Sequence, residues 1–427
     1  MPDKVLERRY AEAHERYAAV GVDTAAALAA LARVPLSLHC WQGDDVTGFE
    51  SLDAGMAGAG LSASGLAVTG NYPGKARNPE ELRKDMDTAF SLIPGPHRAN
   101  VHAMYAELGG KKVDRDAIGP GHFTGWLDWA RKRGYGLDFN ASCFSHPKAV
   151  DGFTLASRDL GIRKFWIAHV ARCREISAHF GRELGNACVH NLWIPDGCKD
   201  APVGRYEYRD LLKRSLDEIF SVRQDPALMK DAVEGKLFGI GSESFVAGSQ
   251  DFYLAYAVRT GVMPCLDLGH YHPTESVADK ISAILQFCPS VLVHVSRGVR
   301  WDSDHVPVVN DELTALMQEI VRAGALGRVH LALDYFDASI NRIGAWAIGA
   351  RAALKALLLA LLEPVPRLVE AERSGDGFGR LALLEEAKGM PHGDVWNYHC
   401  LKSGVPAGEE WIGRVREHER EALGRRI

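Results

Sequence analysis

Residues 265–305, CLDLGHYHPTESVADKISAILQFCPSVLVHVSRGVRWDSDH, read as a strand, a helix and a second strand. Two short runs rich in Val, Leu and Cys, MPCLDLGH at 263–270 and VLVHVS at 291–296, flank a helical pattern over 275–287. Their polar residues crowd at the carboxyl ends. Asp267 and His270 close the first run, His294 closes the second, and Asp302 and Asp304 follow in the next loop. Parallel α/β folds place their chemistry at that end of the strands, so the unit carries a topological cue and a functional one together.

The same unit recurs along the chain. Strand patterns fall at 34–41, 99–105, 135–142, 187–195, 233–240, 263–270, 291–296 and 328–336, with helical patterns at 79–93, 121–133, 157–184, 207–222, 250–260, 274–288, 311–323 and 341–362. Eight strands alternating with eight helices predict a (β/α)8 TIM barrel over residues 34–362, because each crossover lays the next strand parallel beside the last. Residues 1–33 read as N-terminal helices packing on the barrel. Residues 363–427 read as a charged C-terminal helical extension without strand signal, suited to subunit contacts. The apolar run 344–362 contains Arg351 and Lys355, which favours a buried helix over a bilayer span and leaves no membrane role.

A chain of 427 residues can bury a large core, and its net charge of -5 argues against a nucleic-acid partner, which would call for a basic excess. The eight cysteines form no C-x-x-C pair and read as reduced thiols. The N-terminal stretch is charged and lacks the apolar core of a secretory signal, so the expected location is cytoplasmic.

A barrel gathers the carboxyl ends of all eight strands on one face. Asp267, His270, His294, Asp302, Asp304 and Asp334 all lie at or just beyond such ends, and so many carboxylates in one mouth repel unless cations neutralise them. Oxygen and imidazole without thiolate suit Mn2+, Mg2+, Co2+ or Zn2+. Each residue taken singly has a plainer reading: a strand-end Asp as a cap or turn residue, a lone His as a hydrogen-bonded core residue, Asp302 and Asp304 as a solvated loop. Together they point to a metal centre. Two glycine-rich motifs do not: residues 70–76, GNYPGKA, have one spacer too few for a phosphate loop and lack its Ser or Thr, and the run 54–65 opens no helix with G-x-G-x-x-G.

Longer blocks carry a resemblance. LHCWQGDD at 38–45, TGNYPGKAR at 69–77, LDFN at 137–140 with SCFSHP at 142–147, NLWIPDG at 191–197, the segments 265–274 and 294–305, and LDYFDASINR at 333–342 are similar to the L-rhamnose isomerase family, over nearly the whole chain. The resemblance implies a metal-dependent aldose–ketose isomerase on a (β/α)8 barrel, acting on L-rhamnose or a related sugar, with two divalent ions per subunit. Mn2+ is first among these, with Zn2+, Co2+ or Mg2+ as alternatives. One ion would be held by Glu234, Asp267, His294 and Asp334; the other by His270, Asp302 and Asp304, with Asp267 between them. Glu234-Gly235-Lys236 fits the Glu-x-Lys pattern of sugar isomerases, whose Lys sits beside the transferring atoms. Strand periodicity alone favours Glu243 instead, and Glu243 stays as the fallback.

The resemblance further implies a two-metal-assisted 1,2-hydride shift and a homotetramer. Lys236, His270, Asp302 and His102 are the expected catalytic residues, with Trp193, His102, Lys236 and Asp334 against the substrate. His102 reads equally as a group that handles the ring oxygen or as a structural residue, and Trp193 as a flat face for sugar C–H groups or as core. Whether the loop 54–78 covers its own site or a neighbour's stays open. The rival reading is a barrel metallohydrolase of the amidohydrolase kind, which needs His-x-His at strand one where this chain has Leu38-His39-Cys40-Trp41.

Overall fold

The computed structural model describes residues 3–50, 70–237, 244–299 and 304–426. Eight parallel strands close into a barrel: β1 Leu36–His39, β2 His97–His102, β3 Gly136–Asn140, β4 Cys188–Leu192, β5 Met229–Glu234, β6 Met263–Asp267, β7 Val291–Val295 and β8 Val329–Leu333. The ring is sealed where β1 pairs with β8, Leu36 opposite Leu331 and Leu38 opposite Leu333. Beyond the strand ends the Gln42 side chain continues that seam, donating to the Asp337 carbonyl at 2.9 Å and accepting from its amide at 2.7 Å. A parallel strand inside a barrel is covered on both faces, which is why β7 is buried along its whole length and reads as an apolar run interrupted only by His294.

Fourteen helices surround the barrel in the described residues: α1 Asp3–Ala19, α2 Thr24–Leu31, α3 Pro79–Phe90, α4 Thr124–Arg133, α5 Leu160–Leu184, α6 Arg205–Ser221, α7 Gln250–Thr260, α8 Ala278–Ile284, α9 Asp311–Arg322, α10 Arg342–Leu361, α11 Val365–Arg373, α12 Gly377–Lys388, α13 His392–Lys402 and α14 Glu410–Glu421. Several starts are set by a polar side chain that accepts from a first-turn amide: Asn78 before α3, Asp159 before α5, Asn310 before α9 and Asn341 before α10. The apolar helix α10 is long enough to cross a membrane by length and composition, yet it lies inside the protein, with its Arg351 donating to the Leu92 carbonyl at 2.7 Å. The alternation expected from sequence is therefore the observed architecture.

One strand sits elsewhere than expected. Residues 233–240 were the expected fifth strand, whereas β5 spans Met229–Glu234. Its Lys230 and Asp231 break the apolar pattern, and their charges are met by partners distant in sequence. Arg174 of α5 pairs with Asp231 at 2.9 Å, His190 of β4 approaches the same carboxylate at 3.1 Å, and Lys230 reaches His330 of β8 at 3.2 Å. Burying charge is tolerable only with such pairing.

The C-terminal residues pack back on the segment after β1, the start of α10 and α3. Glu419 accepts from the Tyr72 hydroxyl and from Asn341 at 3.2 Å, and Arg426 pairs with Asp85 at 2.6 Å. The glycine-rich segment 70–76 serves this packing. Gly74 has φ +79°, and a Cβ there would stand 2.6 Å from the Leu423 carbonyl oxygen, so the site takes only glycine comfortably.

Candidate metal centre and substrate pocket

The barrel register brings one polar side chain from each of several strand ends to a common point. Asp267 on β6 sits directly beside His294 on β7, and Glu234 ends β5 one strand further round. Asp334 follows the last residue of β8. His294 Nδ1 is the hub, lying 3.0 Å from Asp334, 3.4 Å from Glu234 and 3.6 Å from Asp267, and all four residues are buried. The potential ligand atoms of the four lie within 4.8 Å of one another.

A second group adjoins the first through Asp267. Asp267, His270 and Asp304 also offer ligand atoms within 4.8 Å of one another, and His270 Nε2 stands 3.5 Å from Asp304. The other ring nitrogen of His270 lies 3.0 Å from Glu234, so the two groups share a wall. Asp302 and the fallback Glu243 lie outside the described residues. Glu234 lies at the end of β5, in the first group.

Three buried carboxylates around one imidazole leave an excess of negative charge, and their proton affinities split. Burial would raise Glu234, but His294 and His270 outweigh it and hold the carboxyl at about 2. Burial pushes Asp267 up to about 7, with His270 only partly offsetting it. Against the cost of burial, Cys265, Glu234 and Asp334 hold His294 well above the ordinary imidazole range. Asp334 lies well below the carboxylate range because His39 and His294 overcome its burial.

The donor chemistry fits divalent cations. No hydrogen bond from the described residues reaches the buried oxygens Asp267 Oδ2 and Asp304 Oδ1. A buried oxygen left so would cost on the order of 1–3 kcal/mol or more, and an ion would remove that cost. Further polar groups hold the outer edges of the carboxylates. Ser296 donates to Asp267 Oδ1 at 2.6 Å, Asn191 to Glu234 at 2.5 Å, and His39 Nδ1 lies 2.8 Å from Asp334 Oδ1. Ser296, Asn191 and His39 were no part of the expected site, because a single polar residue in an apolar strand looks like an ordinary core position. Their placement at strand ends was the available signal.

Beside the centre is a pocket with aromatic walls. Trp41, His102, Phe144, Trp193 and Phe336 line it together with Lys236, Glu234, His270, Asp304 and Asp334. The Trp41 and His102 rings stack at 4.2 Å, and Lys236 Nζ stands 4.7 Å from the Trp193 ring centre. Burial, reinforced by His39, holds His102 well below the ordinary imidazole value, so its ring is neutral. Neither ring nitrogen of His102, nor the indole N–H of Trp41 or Trp193, has a hydrogen-bond partner in the described residues. Flat apolar faces edged by unpaired donors and acceptors suit a polyol with C–H faces and hydroxyl edges. Trp193 is half-buried, packing on the core while also lining this pocket.

The family model described as L-rhamnose isomerase (RhaA) matches residues 4–426. A Rhodopirellula baltica protein named L-rhamnose isomerase is 55% identical over 421 residues, covering 99% of this chain and 97% of its own. Proteins of the same name from Bacteroides thetaiotaomicron and Escherichia coli O157:H7 are 52% and 53% identical, each match covering 99% of both chains. With barrel, acidic–imidazole centre and full-length similarity in agreement, the chain belongs to the L-rhamnose isomerase family of aldose–ketose isomerases.

Proposed function

We propose that the chain interconverts L-rhamnose and L-rhamnulose. The observation that carries the reading is the convergence of Glu234, Asp267 and Asp334 on His294 beside an aromatic pocket with unpaired polar edges. Glu234, Asp267, His294 and Asp334 would hold one divalent ion and His270, Asp302 and Asp304 the other, Mn2+ foremost. Bound there, such ions would supply Lewis-acid polarisation of the sugar carbonyl and its neighbouring hydroxyl.

The remaining steps belong to side chains. His102, neutral and facing the pocket, takes the anomeric hydroxyl proton as the C1–O5 bond opens and returns it to O5. Lys236, nearly buried over Trp193, places positive charge where the C1 oxygen gains electron density. Hydrogen then moves with its electron pair from C2 to C1 while the O2 proton passes to O1, turning aldose into ketose. Trp193 and Asp334 orient the sugar, and the aromatic walls leave room for a methyl at C6 without demanding a hydrogen bond.

Residues 1–33 and 363–427 frame the 34–362 barrel in this reading. The extension joins copies into a homotetramer, and the eight free thiols suit work in the reducing cytoplasm. The test is to strip the protein with a chelator, restore Mn2+ and supply L-rhamnose deuterated at C2. L-rhamnulose should form with the deuterium retained at C1. Washout into water would replace the hydride shift with an enediol and a protein base.

A further inference from the structure

The His39 side chain touches a proposed metal-binding carboxylate without belonging to either ligand group proposed above. It ends β1, is 1% exposed, and directs Nδ1 at Asp334 Oδ1 across 2.8 Å. Its register neighbour on β2 is Asn100, 3% exposed, whose amide nitrogen lies 2.7 Å from His39 Nε2. The two contacts fix each other chemically. The Asn100 amide N–H needs an acceptor, so His39 Nε2 offers its lone pair and the neutral ring carries its proton on Nδ1, the nitrogen beside the Asp334 carboxylate. The His39 backbone is pinned as well, its carbonyl accepting from Trp346 Nε1 at 3.0 Å. Asp334 Oδ2 meanwhile faces His294 Nδ1 at 3.0 Å, on the side of the metal centre.

We infer that His39 is a positioning residue: with its tautomer set by Asn100, it claims Asp334 Oδ1 and leaves Oδ2 as the single oxygen presented to an ion. Partners of this kind orient metal ligands, and their loss costs metal affinity on the order of 10–100-fold. The inference rests on the proposed assignment of Asp334 as a ligand. The His39 ring also stands 5.1 Å from the rings of Trp41, His102 and His294, so the test reads Mn2+ affinity rather than activity alone.

Mn2+ binding to the chelator-stripped full chain, followed by electron paramagnetic resonance, separates the possibilities. His39→Leu keeps the volume and removes the donor. One of two Mn2+ sites should weaken about 10–100-fold, with activity recovering as Mn2+ is raised. His39→Asn, whose amide nitrogen falls near the position of Nδ1, should bind within about threefold of the unaltered chain. Asn100→Leu should weaken the same site several-fold in the same direction, and it supplies the answer if His39→Leu fails to fold. Unaltered Mn2+ affinity in His39→Leu or Asn100→Leu overturns the inference, as does His39→Asn binding as poorly as His39→Leu. Failure of the unaltered chain to bind Mn2+ at all would overturn the metal-site reading beneath it.

Discussion

At the scale of single residues, the assignment with the sharpest test is Glu234. The alternative Glu243 was favoured by periodicity, but Glu234 ends β5 with its oxygens 3.0 and 3.4 Å from His270 and His294. Glu234→Gln removes the charge at constant size, and kcat should fall by at least about a hundredfold, more than outer partners cost. Glu243→Gln should leave kcat nearly unchanged in the same assay. A second prediction concerns acid. Burial holds His97 at about 4, and burial with the Lys230 charge does the same to His330. Both folded values lie below the unfolded one near 6.5, so their stability contribution is full above pH ~6.5 and is lost as pH falls toward 4, where the unfolded chain binds protons the folded one refuses. Replacing either by Gln should remove about 2 kcal/mol of the stability lost between pH 7 and 5, read from urea unfolding at the two values.

At the scale of elements, legibility followed the chemistry of burial. Strands such as β7, covered on both faces, are continuous apolar runs, and Asp267, His294 and Asp334 stand out at their ends. β5 did not stand out, since its Lys230 and Asp231 look like loop until Arg174, His190 and His330 are brought alongside by folding. Glu234 was consequently reachable only through a family pattern; His39, Asn191 and Ser296 offered no more than their strand-end placement and Asn100 not even that, because what marks them is a partner on another strand. The same network predicts a stability effect. Asp231→Ala leaves the Arg174 guanidinium, 3% exposed, without its carboxylate. Loss of one partner from a buried pair costs about 3–5 kcal/mol, so denaturant unfolding should show a drop of that order, with Asp231→Asn milder.

At the scale of the whole molecule, α12 is the element that its own chain does not explain. GFGRLALLEEAK has no buried residue, and Phe378 and Leu381 are 85% and 66% exposed. Exposed faces of other helices carry ion pairs instead, as on α1, α6 and α14. Two large apolar side chains exposed on one helix gain from being covered, and in the proposed homotetramer that cover is another copy of the chain. Because these side chains pack against little of their own subunit, Phe378→Glu with Leu381→Glu should shift monomer stability by no more than about 0.5 kcal/mol per site. It should nonetheless desolvate four charges per pair of facing helices and break the contact. Light scattering after gel filtration should report a four-copy mass for the unaltered chain and a smaller species for the double variant, with unchanged far-ultraviolet circular dichroism. An unaltered mass would move the subunit contact to another face and leave the exposure of α12 without a partner.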